Sequence, residues 1–574
     1  MRTATPTLLS RGRGPLGAGR RAVRPARSAR ALLRAVRADG VPAVVWLVVA
    51  LQLTVCLLQT AVFPHGRSPD EAKQVDLVLQ VADGRAWPWP GPGEAVTSTG
   101  VQAGTVLPPD RLRGRAHLAD QETLPRDQRP SWTDAGGAEP WPGRGGAPLL
   151  NQLVQHPPLY YLLGATVAQA VPDRLDVPFD RTWMVLRWVG ALLVVPLPLL
   201  AWATARRLRL PDPLPVAAAL AVVAVPEMAH LASAVNNDNL VVLLGAVATW
   251  LGVRVLTGDL TLRTGAALGA VTSLALLTKG FALLLPAWVL LVYAVAAWRR
   301  RSPAAAGSAL VSAAAMLPGL AWWVRNVVVH GTLQPHGTRT DQTYLAQAGA
   351  TYRWADGGAE WLARLGDRMV TLFFVQDQAS LMRQDASWWA ARAALVVLVT
   401  GLVVTLVRRT VPRLDAVVLL VPAAGLLAIV AKGSYEQFTA FGNVAAAQQG
   451  RYLYMGAVGM LVTAVAGAAV LRPGLRQAVP AAVLTLGLAL HTAFHIDAWW
   501  VLWAPAGASG LPAAVASVDA MVRLHAFGAV VLAPLALTAA ALLAAVGTWT
   551  VRTALADAAE TAGARDGAVR LPGA

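Results

Sequence analysis

Long apolar runs recur along the 574-residue chain, separated by short polar segments. Runs of about 17–25 residues can cross the ~30 Å hydrocarbon core of a membrane as helices, which satisfy every backbone group internally. The pattern therefore predicts an all-α polytopic integral membrane protein with about twelve transmembrane helices. The predicted spans lie near residues 41–63, 183–205, 213–232, 238–256, 262–279, 280–298, 304–328, 387–407, 412–431, 452–471, 476–497 and 523–549.

One apolar segment, residues 157–171, is short for a span, and a crossing there would reverse the side of every later loop. We predict that it forms a helix on the outer membrane surface. The first extracytoplasmic loop then covers residues 64–181 and is the largest in the chain. The other sizeable outer loops are predicted at residues 330–386, 433–451 and 498–522.

Charge fixes the predicted orientation. The net charge is +17, but the arginines form short clusters between apolar runs, which argues against a nucleic-acid partner. Cytoplasmic loops carry the excess of basic residues, so both termini are predicted to be cytoplasmic. Residues 1–40 are predicted to be a disordered basic tail that also meets anionic lipid, 41–549 the transmembrane domain, and 550–574 a cytosolic C-terminal tail. Lysine is rare against arginine, and alanine, valine and glycine are abundant, which is typical of a high-GC bacterial genome, so we predict a bacterial plasma membrane protein. The single cysteine, Cys56, excludes a disulfide framework.

An acidic pair, Asp70-Glu71, follows the first predicted span and opens the segment SPDEAKQVDLVLQVADG, residues 68–84. A carboxylate at the membrane surface is suited to deprotonate a hydroxyl beside a lipid-linked substrate. The structural alternative is a helix start in which Ser68 is the N-cap and Glu71 closes a capping box. The two interpretations are compatible if Glu71 shapes the turn and Asp70 faces the substrate.

Further polar residues gather at the predicted outer ends of spans. They are Asn236-Asn237-Asp238-Asn239, Thr278-Lys279, Arg325-Asn326, the run QQGRY that contains Arg451, and His156 before the surface helix. Each has a plain structural alternative, such as an N-cap for Asp238 or a snorkelling side chain for Lys279. Together they predict one outer cavity that collects acids, amides and cations, because charges near membrane depth are costly. His491 and His495, spaced i, i+4, could hold a metal or cap a span end.

The acidic pair, the HPPLYYLL surface helix, the NND turn and the Thr-Lys junction, in this order, resemble the GT-C superfamily of membrane glycosyltransferases. That superfamily includes protein O-mannosyltransferases and lipid A aminoarabinose transferases. The QGRY, PDE and NND strings are most similar to a poorly characterised bacterial branch of predicted membrane proteins. The resemblance covers roughly residues 41–470. A lysine precedes the PPLYY run in the aminoarabinose transferases, where this chain has His156.

The resemblance implies a polyprenyl-phosphate sugar as donor and an extracytoplasmic glycan, lipid or protein as acceptor. It implies no certain cofactor, although a divalent cation is possible. The catalytic candidates are Asp70 and, second, Glu71. The candidates for substrate binding are Asp238, Asn237, His156, Lys279, Arg325, Asn326 and Arg451. Trp87, Trp89, Trp132 and Trp141 in the first outer loop would cover the acceptor.

Two other classes of function remain open at this point. A transporter or lipid flippase would also be polytopic, but its ionisable groups usually lie at mid-membrane on broken helices, often in repeated halves. The chain shows no internal repeat, and its acids and cations sit at predicted span ends. A non-enzymatic scaffold would leave the outer arginines and the acidic pair without a use.

Overall fold

The computed structural model describes residues 40–84, 97–105, 115–141, 151–335, 349, 351–375 and 384–568. The chain divides into a short unit, Met1–Ala43, and a large unit, Val44–Ala574, which holds every element that surrounds the site. The described part is helical, with two isolated bridges, Ser98 to Pro140 and Ser131 to Pro178, and no strand. The predicted all-α class is therefore confirmed. The predicted basic tail lies outside the described residues, apart from Gly40.

Within the described residues, ten helices are long and apolar enough to cross a membrane. They are Ala43–Val62, Phe179–Arg207, Asp238–Leu256, Gly280–Arg300, Pro303–His330, Ala386–Arg408, Arg413–Phe441, Gly450–Val470, Pro473–Trp503 and Ala529–Leu555. The chain is a multi-pass membrane protein, and these helices match ten of the predicted spans.

The two remaining predicted spans differ from simple crossings. The span predicted at 213–232 is a bent pair, Leu214–Val223 and Pro226–Ala232, with an angle of 58° between its halves. Pro226 explains the break, since proline removes a backbone donor and disfavours helix at the residue before it. The span predicted at 262–279 is the helix Leu262–Leu276, shorter than a full crossing.

Shorter helices lie in the loops and at the C-terminus. The first predicted outer loop contains Glu71–Ala82, here called the acidic helix, Thr99–Ala103, and Leu159–Ala170, here called the surface helix. The later predicted outer loops contain Gly358–Phe374 and Gly510–Leu524. The helix Arg413–Phe441 continues beyond its predicted end at 431, and the last helix, Ala529–Ala568, continues into the predicted C-terminal tail.

Polar contacts of Asp76 and Arg129 give the first predicted outer loop a defined structure. Asp76 of the acidic helix accepts hydrogen bonds from the Asn151 side chain (2.8 Å) and the Ser98 backbone (2.8 Å). Burial raises the pKa of Asp76 above its ordinary value, and these hydrogen bonds partly offset the shift. Arg129 donates to the carbonyl oxygen of Arg523 (2.6 Å), at the end of helix Gly510–Leu524. The first and last predicted outer loops are thus joined.

Candidate active site

Glu71 lies in a buried ion pair beneath the turn formed by residues 68–71, here called the acidic turn. Arg187 donates to both Glu71 carboxylate oxygens at 2.7 Å, and Trp183 donates to Oε1 at 3.1 Å. The backbone N–H groups of Gly66 (3.0 Å) and Val235 (3.2 Å) complete its partners. The predicted capping box is wrong, because the helix begins at Glu71 with Asp70 at its N-cap and Ser68 outside it. Both carboxylate oxygens of Glu71, the predicted second catalytic acid, are occupied by protein groups.

Asp70 has the opposite environment. Its backbone is left-handed, with φ of 59°, and its side chain makes no capping hydrogen bond. Its side chain remains 40% exposed, whereas that of Glu71 is fully buried. A left-handed backbone at a non-glycine residue costs free energy and persists only where the surroundings impose it. The neighbouring Glu71 network supplies that constraint, and the Asp70 carboxylate stays partly exposed.

The Asn/Asp turn, residues 236–239, packs directly against the acidic turn. Asn236 donates to the carbonyl oxygen of Pro69 at 3.2 Å, and Gln74 of the acidic helix donates to Asn237 Oδ1 at 3.3 Å. The predicted site residue Asn237 is therefore in contact with the acidic helix. These contacts connect two segments about 165 residues apart, so Asp70 and Asp238 reach the same side of the molecule.

Asp238 is held between two cations. Lys279 Nζ hydrogen-bonds to Oδ1, and Arg451 Nε lies 3.8 Å from Oδ2. The predicted N-cap role is wrong, since the helix starts at Asp238 itself, with Asn237 at the N-cap and no capping hydrogen bond from it. The Asp238 carboxylate instead forms ion pairs with Lys279 and Arg451.

Arg451 links the two acids. Its Nη2 lies 3.8 Å from Asp70 Oδ2, its Nε lies 3.8 Å from Asp238 Oδ2, and its Nη1 donates to Gln449 Oε1 at 3.1 Å. Only 6% of the Arg451 side chain is exposed, and Nε has no hydrogen-bond acceptor among the described residues. A buried donor without an acceptor is costly, and a phosphate oxygen would satisfy it.

Two glycines allow the turn that carries Arg451 to come this close. A Cβ on Gly245, in helix Asp238–Leu256, would lie 2.3 Å from the carbonyl oxygen of Met455. A Cβ on Gly450 would lie 2.3 Å from the backbone nitrogen of Phe373. The segment Gly450–Gly456 can therefore fit between helices Asp238–Leu256 and Gly358–Phe374 only with glycine at both contacts.

Aromatic rings line the cationic side. Lys279 Nζ lies 5.3 Å from the ring centroids of both Phe281 and Tyr452, and these two rings are 5.0 Å apart. The Arg451 guanidinium lies 5.4 Å from the Tyr452 ring. Such contacts favour a retained positive charge, which is what binding of an anionic headgroup requires.

Three predicted site residues are not shown in contact with this cluster. Arg325 donates to Asn326 Oδ1 at 3.3 Å and lies 5.5 Å from the Trp322 ring, and no described acid forms an ion pair with it. Asn326 donates to the carbonyl oxygen of Leu333 at 3.1 Å, a local contact. His156 is buried just before the surface helix. That helix is tied to the Lys279 junction by the Leu159 N–H, which donates to the carbonyl oxygen of Leu277 at 3.1 Å.

The sequence analysis missed Arg187 and a second buried network. His230 Nδ1 lies 3.0 Å from Glu227 Oε2, and His230 Nε2 lies 3.0 Å from Ser68 Oγ. Glu227 and His230 belong to the second half of the bent pair, Pro226–Ala232, and hold the segment before Asp70 through Ser68. The available signal was the presence of ionisable residues inside predicted apolar spans, which are costly unless paired or functional.

The remaining predictions concern tryptophans and metal. Trp87 and Trp89 lie outside the described residues. Trp132 is buried against Phe179, with ring centroids 4.9 Å apart, so the prediction that it covers the acceptor is wrong, whereas Trp141 is half-buried. His491 and His495 bond to carbonyl oxygens of Val223 and His491. Within the described residues no group of three or more His, Cys, Asp or Glu side chains could hold a metal ion.

The four central side chains, Asp70, Asp238, Lys279 and Arg451, form a charge-balanced cluster. It has one exposed carboxylate and two largely buried cations. Such a cluster can bind an anionic group through the cations while the exposed acid accepts a proton from a second molecule.

Comparison with known proteins gives one family match. The model of the family described as dolichyl-phosphate-mannose-protein mannosyltransferase matches residues 176–322, about a quarter of the chain. The matched segment contains Asn237, Asp238 and Lys279 but neither Asp70 nor Arg451. No curated protein matches the chain.

Several solved structures are distantly similar. ArnT from Cupriavidus metallidurans bound to undecaprenyl phosphate is 15% identical, over 90% of this chain and 76% of that chain, with a TM-score of 0.42. The oligosaccharyltransferase AglB from Archaeoglobus fulgidus, in complex with an inhibitory peptide and a dolichol-phosphate, is 15% identical, over 68% of this chain and 48% of that chain, with a TM-score of 0.30. The resemblance to GT-C membrane glycosyltransferases that the motifs predicted is confirmed, through the family match at residues 176–322.

Proposed function

We propose that the protein transfers a sugar from a polyprenyl-phosphate donor to a hydroxyl group of an acceptor on the extracytoplasmic side. The acceptor class is a cell-envelope glycan, a glycolipid or a protein. The observation that carries the proposal is the exposed Asp70 carboxylate, which shares one cluster with the buried cations Lys279 and Arg451. The match of residues 176–322 to a family that uses a lipid-phosphate-linked mannose supports the same reaction.

In the proposed reaction the acceptor oxygen attacks the anomeric carbon of the donor sugar, and its proton passes to Asp70. The bond between that carbon and the phosphate oxygen breaks, and its electron pair leaves with the lipid phosphate. Lys279 and Arg451 stabilise the negative charge that develops on the phosphate. Arginine does so through a planar fork of donors and lysine through a point charge. Asp238 holds both cations in place.

The remaining predicted site residues would position the central cluster or line the path of a substrate. Asn237 would hold the acidic helix against the turn that carries Asp238, through its contact with Gln74. Glu71 would position Asp70 through its ion pair with Arg187. His156, Arg325 and Asn326 would line the donor or acceptor path. A divalent cation has no step in this reaction, because the two central acids face cations.

The test is sugar transfer by the full chain in proteoliposomes with radiolabelled polyprenyl-phosphate mannose as donor. A cell-envelope extract, which contains glycans, glycolipids and proteins, serves as the acceptor mixture. We expect label to move from the lipid into an acceptor that resists lipid extraction, and GDP-mannose to give no transfer. Lys279→Met and Arg451→Gln should lower transfer per molecule of folded protein, so rates are compared at equal amounts of monodisperse protein. Equal transfer by these variants and the wild type would refute the proposed use of the cations.

A transporter or lipid flippase is the second candidate, favoured by one observation. The bent span 214–232 is broken, and its outer half carries Glu227 and His230, as transporters often place ionisable groups on discontinuous helices. Glu227 and His230 are bonded to each other and to Ser68, which favours a structural use. Movement of polyprenyl-phosphate mannose across proteoliposomes with no transfer of its sugar would favour this candidate.

A further inference from the structure

The guanidinium of Arg451 lies between the carboxylates of Asp70 and Asp238, and this determines how a phosphate can reach it. A phosphate binds arginine through two parallel hydrogen bonds, using either the Nε and Nη2 edge or the Nη1 and Nη2 edge. Both edges include Nη2, the nitrogen that lies 3.8 Å from Asp70 Oδ2. A phosphate at either edge would therefore lie beside the Asp70 carboxylate, and the repulsion between the two anions opposes its binding while Asp70 stays in that position.

The existing contacts of Arg451 are weak enough to be replaced. Its two distances of 3.8 Å to Asp70 and Asp238 exceed the length of a charge-assisted hydrogen bond, so these pairs are Coulombic only. The side chain is 6% exposed, and its Nε has no hydrogen-bond acceptor among the described residues. The guanidinium therefore has unused bonding capacity, and Asp70, which is 40% exposed, is the partner with room to move away.

We infer that the donor phosphate and Asp70 compete for Arg451, so that donor binding releases the base and the reaction is ordered with the donor first. This inference rests on the proposed function. When the phosphate takes Nη2, the Asp70 Oδ2 atom loses its cationic partner and becomes available to the acceptor hydroxyl. Asp238 does not respond in the same way, because Lys279 still holds its Oδ1.

The competition between Asp70 and the phosphate predicts an effect on lipid binding that is not expected if Asp70 acts only as a base. Asp70→Asn removes the competitor and keeps its shape, so it should tighten binding of the lipid phosphate while it abolishes transfer. A partly exposed ion pair contributes little, which corresponds to an increase in affinity of about threefold to fivefold. The increase should require Arg451, since the competition is for that side chain.

The experiment measures binding of undecaprenyl phosphate to the full chain in detergent micelles by native mass spectrometry. Undecaprenol, which lacks the phosphate, is the control lipid. The proteins are the wild type, Asp70→Asn, Arg451→Gln and the double variant. Asp83→Asn is the matched control, because it neutralises another first-loop acid, paired with Arg174 at 2.6 Å and not with Arg451. Asp83→Asn should bind both lipids as the wild type does.

The expected result is tighter binding of undecaprenyl phosphate in Asp70→Asn and no difference between Arg451→Gln and the double variant. Equal tightening in both backgrounds would show a general effect of charge and would overturn the competition. No tightening at all would also overturn it, and the proposed donor would stand if the wild type still prefers undecaprenyl phosphate to undecaprenol. A wild type with no such preference would refute the proposed donor and this inference together.

Discussion

Glu71 and Arg187 form a bidentate ion pair with both nitrogen–oxygen distances at 2.7 Å and neither side chain exposed. Arg187 also donates to the carbonyl oxygens of Phe63 (2.6 Å) and Pro64 (2.9 Å), where the first span ends. Glu71 accepts from the backbone of Val235, next to the Asn/Asp turn. The pair therefore sets the relative positions of the first span, the acidic turn and the turn that carries Asp238.

Glu71→Gln should destabilise the protein strongly. An amide cannot balance the buried Arg187 charge, and breaking a buried ion pair from one side typically costs about 3–5 kcal/mol. The measurement is the apparent unfolding temperature in detergent, together with the yield of monodisperse protein. Glu122→Gln, which changes an exposed acid of the same loop, should match the wild type. An unchanged unfolding temperature in Glu71→Gln would contradict the positioning role.

Asp70→Asn should leave the fold intact and remove the activity. The side chain is exposed and makes no capping hydrogen bond, so the isosteric amide should be tolerated structurally. Loss of a positioned general base typically lowers the rate by ~10²-fold or more, which is about 2.7 kcal/mol of barrier. The measurement is transfer from radiolabelled polyprenyl-phosphate mannose at matched expression, with Asp83→Asn as control. Full activity in Asp70→Asn would end its assignment as the base.

The sequence pattern predicted the helical class and most spans because lipid requires long apolar helices, which are visible in any sequence. It also singled out Asp70, Asp238, Lys279 and Arg451, since charges near membrane depth are costly and these four lie at predicted outer span ends. The structure brings these four together.

The partners of Glu71 could not be predicted in the same way. Glu71 fits a capping box by spacing, and only the fold shows that Arg187, more than a hundred residues later, takes its carboxylate. The bend at Pro226 and the close approach at Gly245 likewise depend on contacts between distant segments. Local patterns indicate where a charge lies along the chain, whereas its partner is decided by packing.

Stability should fall on acidification partly through His525. Its Nδ1 accepts hydrogen bonds from the backbone of Phe527 (3.2 Å) and Gly528 (3.1 Å), which requires an unprotonated nitrogen. Burial, with added repulsion from Arg187, Arg126 and Arg129, lowers the pKa of His525 to about 4. The unfolded chain then binds a proton that the folded chain rejects. Stability from this group is complete above the unfolded pKa of about 6.5 and is lost as the pH falls towards 4, by up to about 1.4 kcal/mol per pH unit.

The check on His525 is the apparent unfolding temperature of the wild type and His525→Gln in detergent, from pH 7.5 to pH 4.5. Other histidines contribute to both curves, so the difference between the two proteins isolates His525. As the pH falls, the unfolding temperature of the wild type should decrease more than that of His525→Gln. Parallel curves over the whole range would show that His525 does not titrate between its folded and unfolded states in this way.

The orientation of the chain can be tested by labelling single cysteines, and the structure identifies suitable positions. Thr133 and Ser509 are exposed in the first and last predicted outer loops, and Arg263 is exposed at the start of helix Leu262–Leu276, next to the predicted cytosolic loop 257–261. After replacement of the buried Cys56 by alanine, Thr133→Cys and Ser509→Cys should react with a membrane-impermeant thiol reagent in whole cells. Arg263→Cys should react only after the cells are opened, because basic loops stay in the cytosol. The same labelling in opened cells controls for access at each site. Reaction of Arg263→Cys in intact cells, with protection of the other two, would reverse the orientation and place Asp70 in the cytosol, where the proposed extracytoplasmic transfer could not occur.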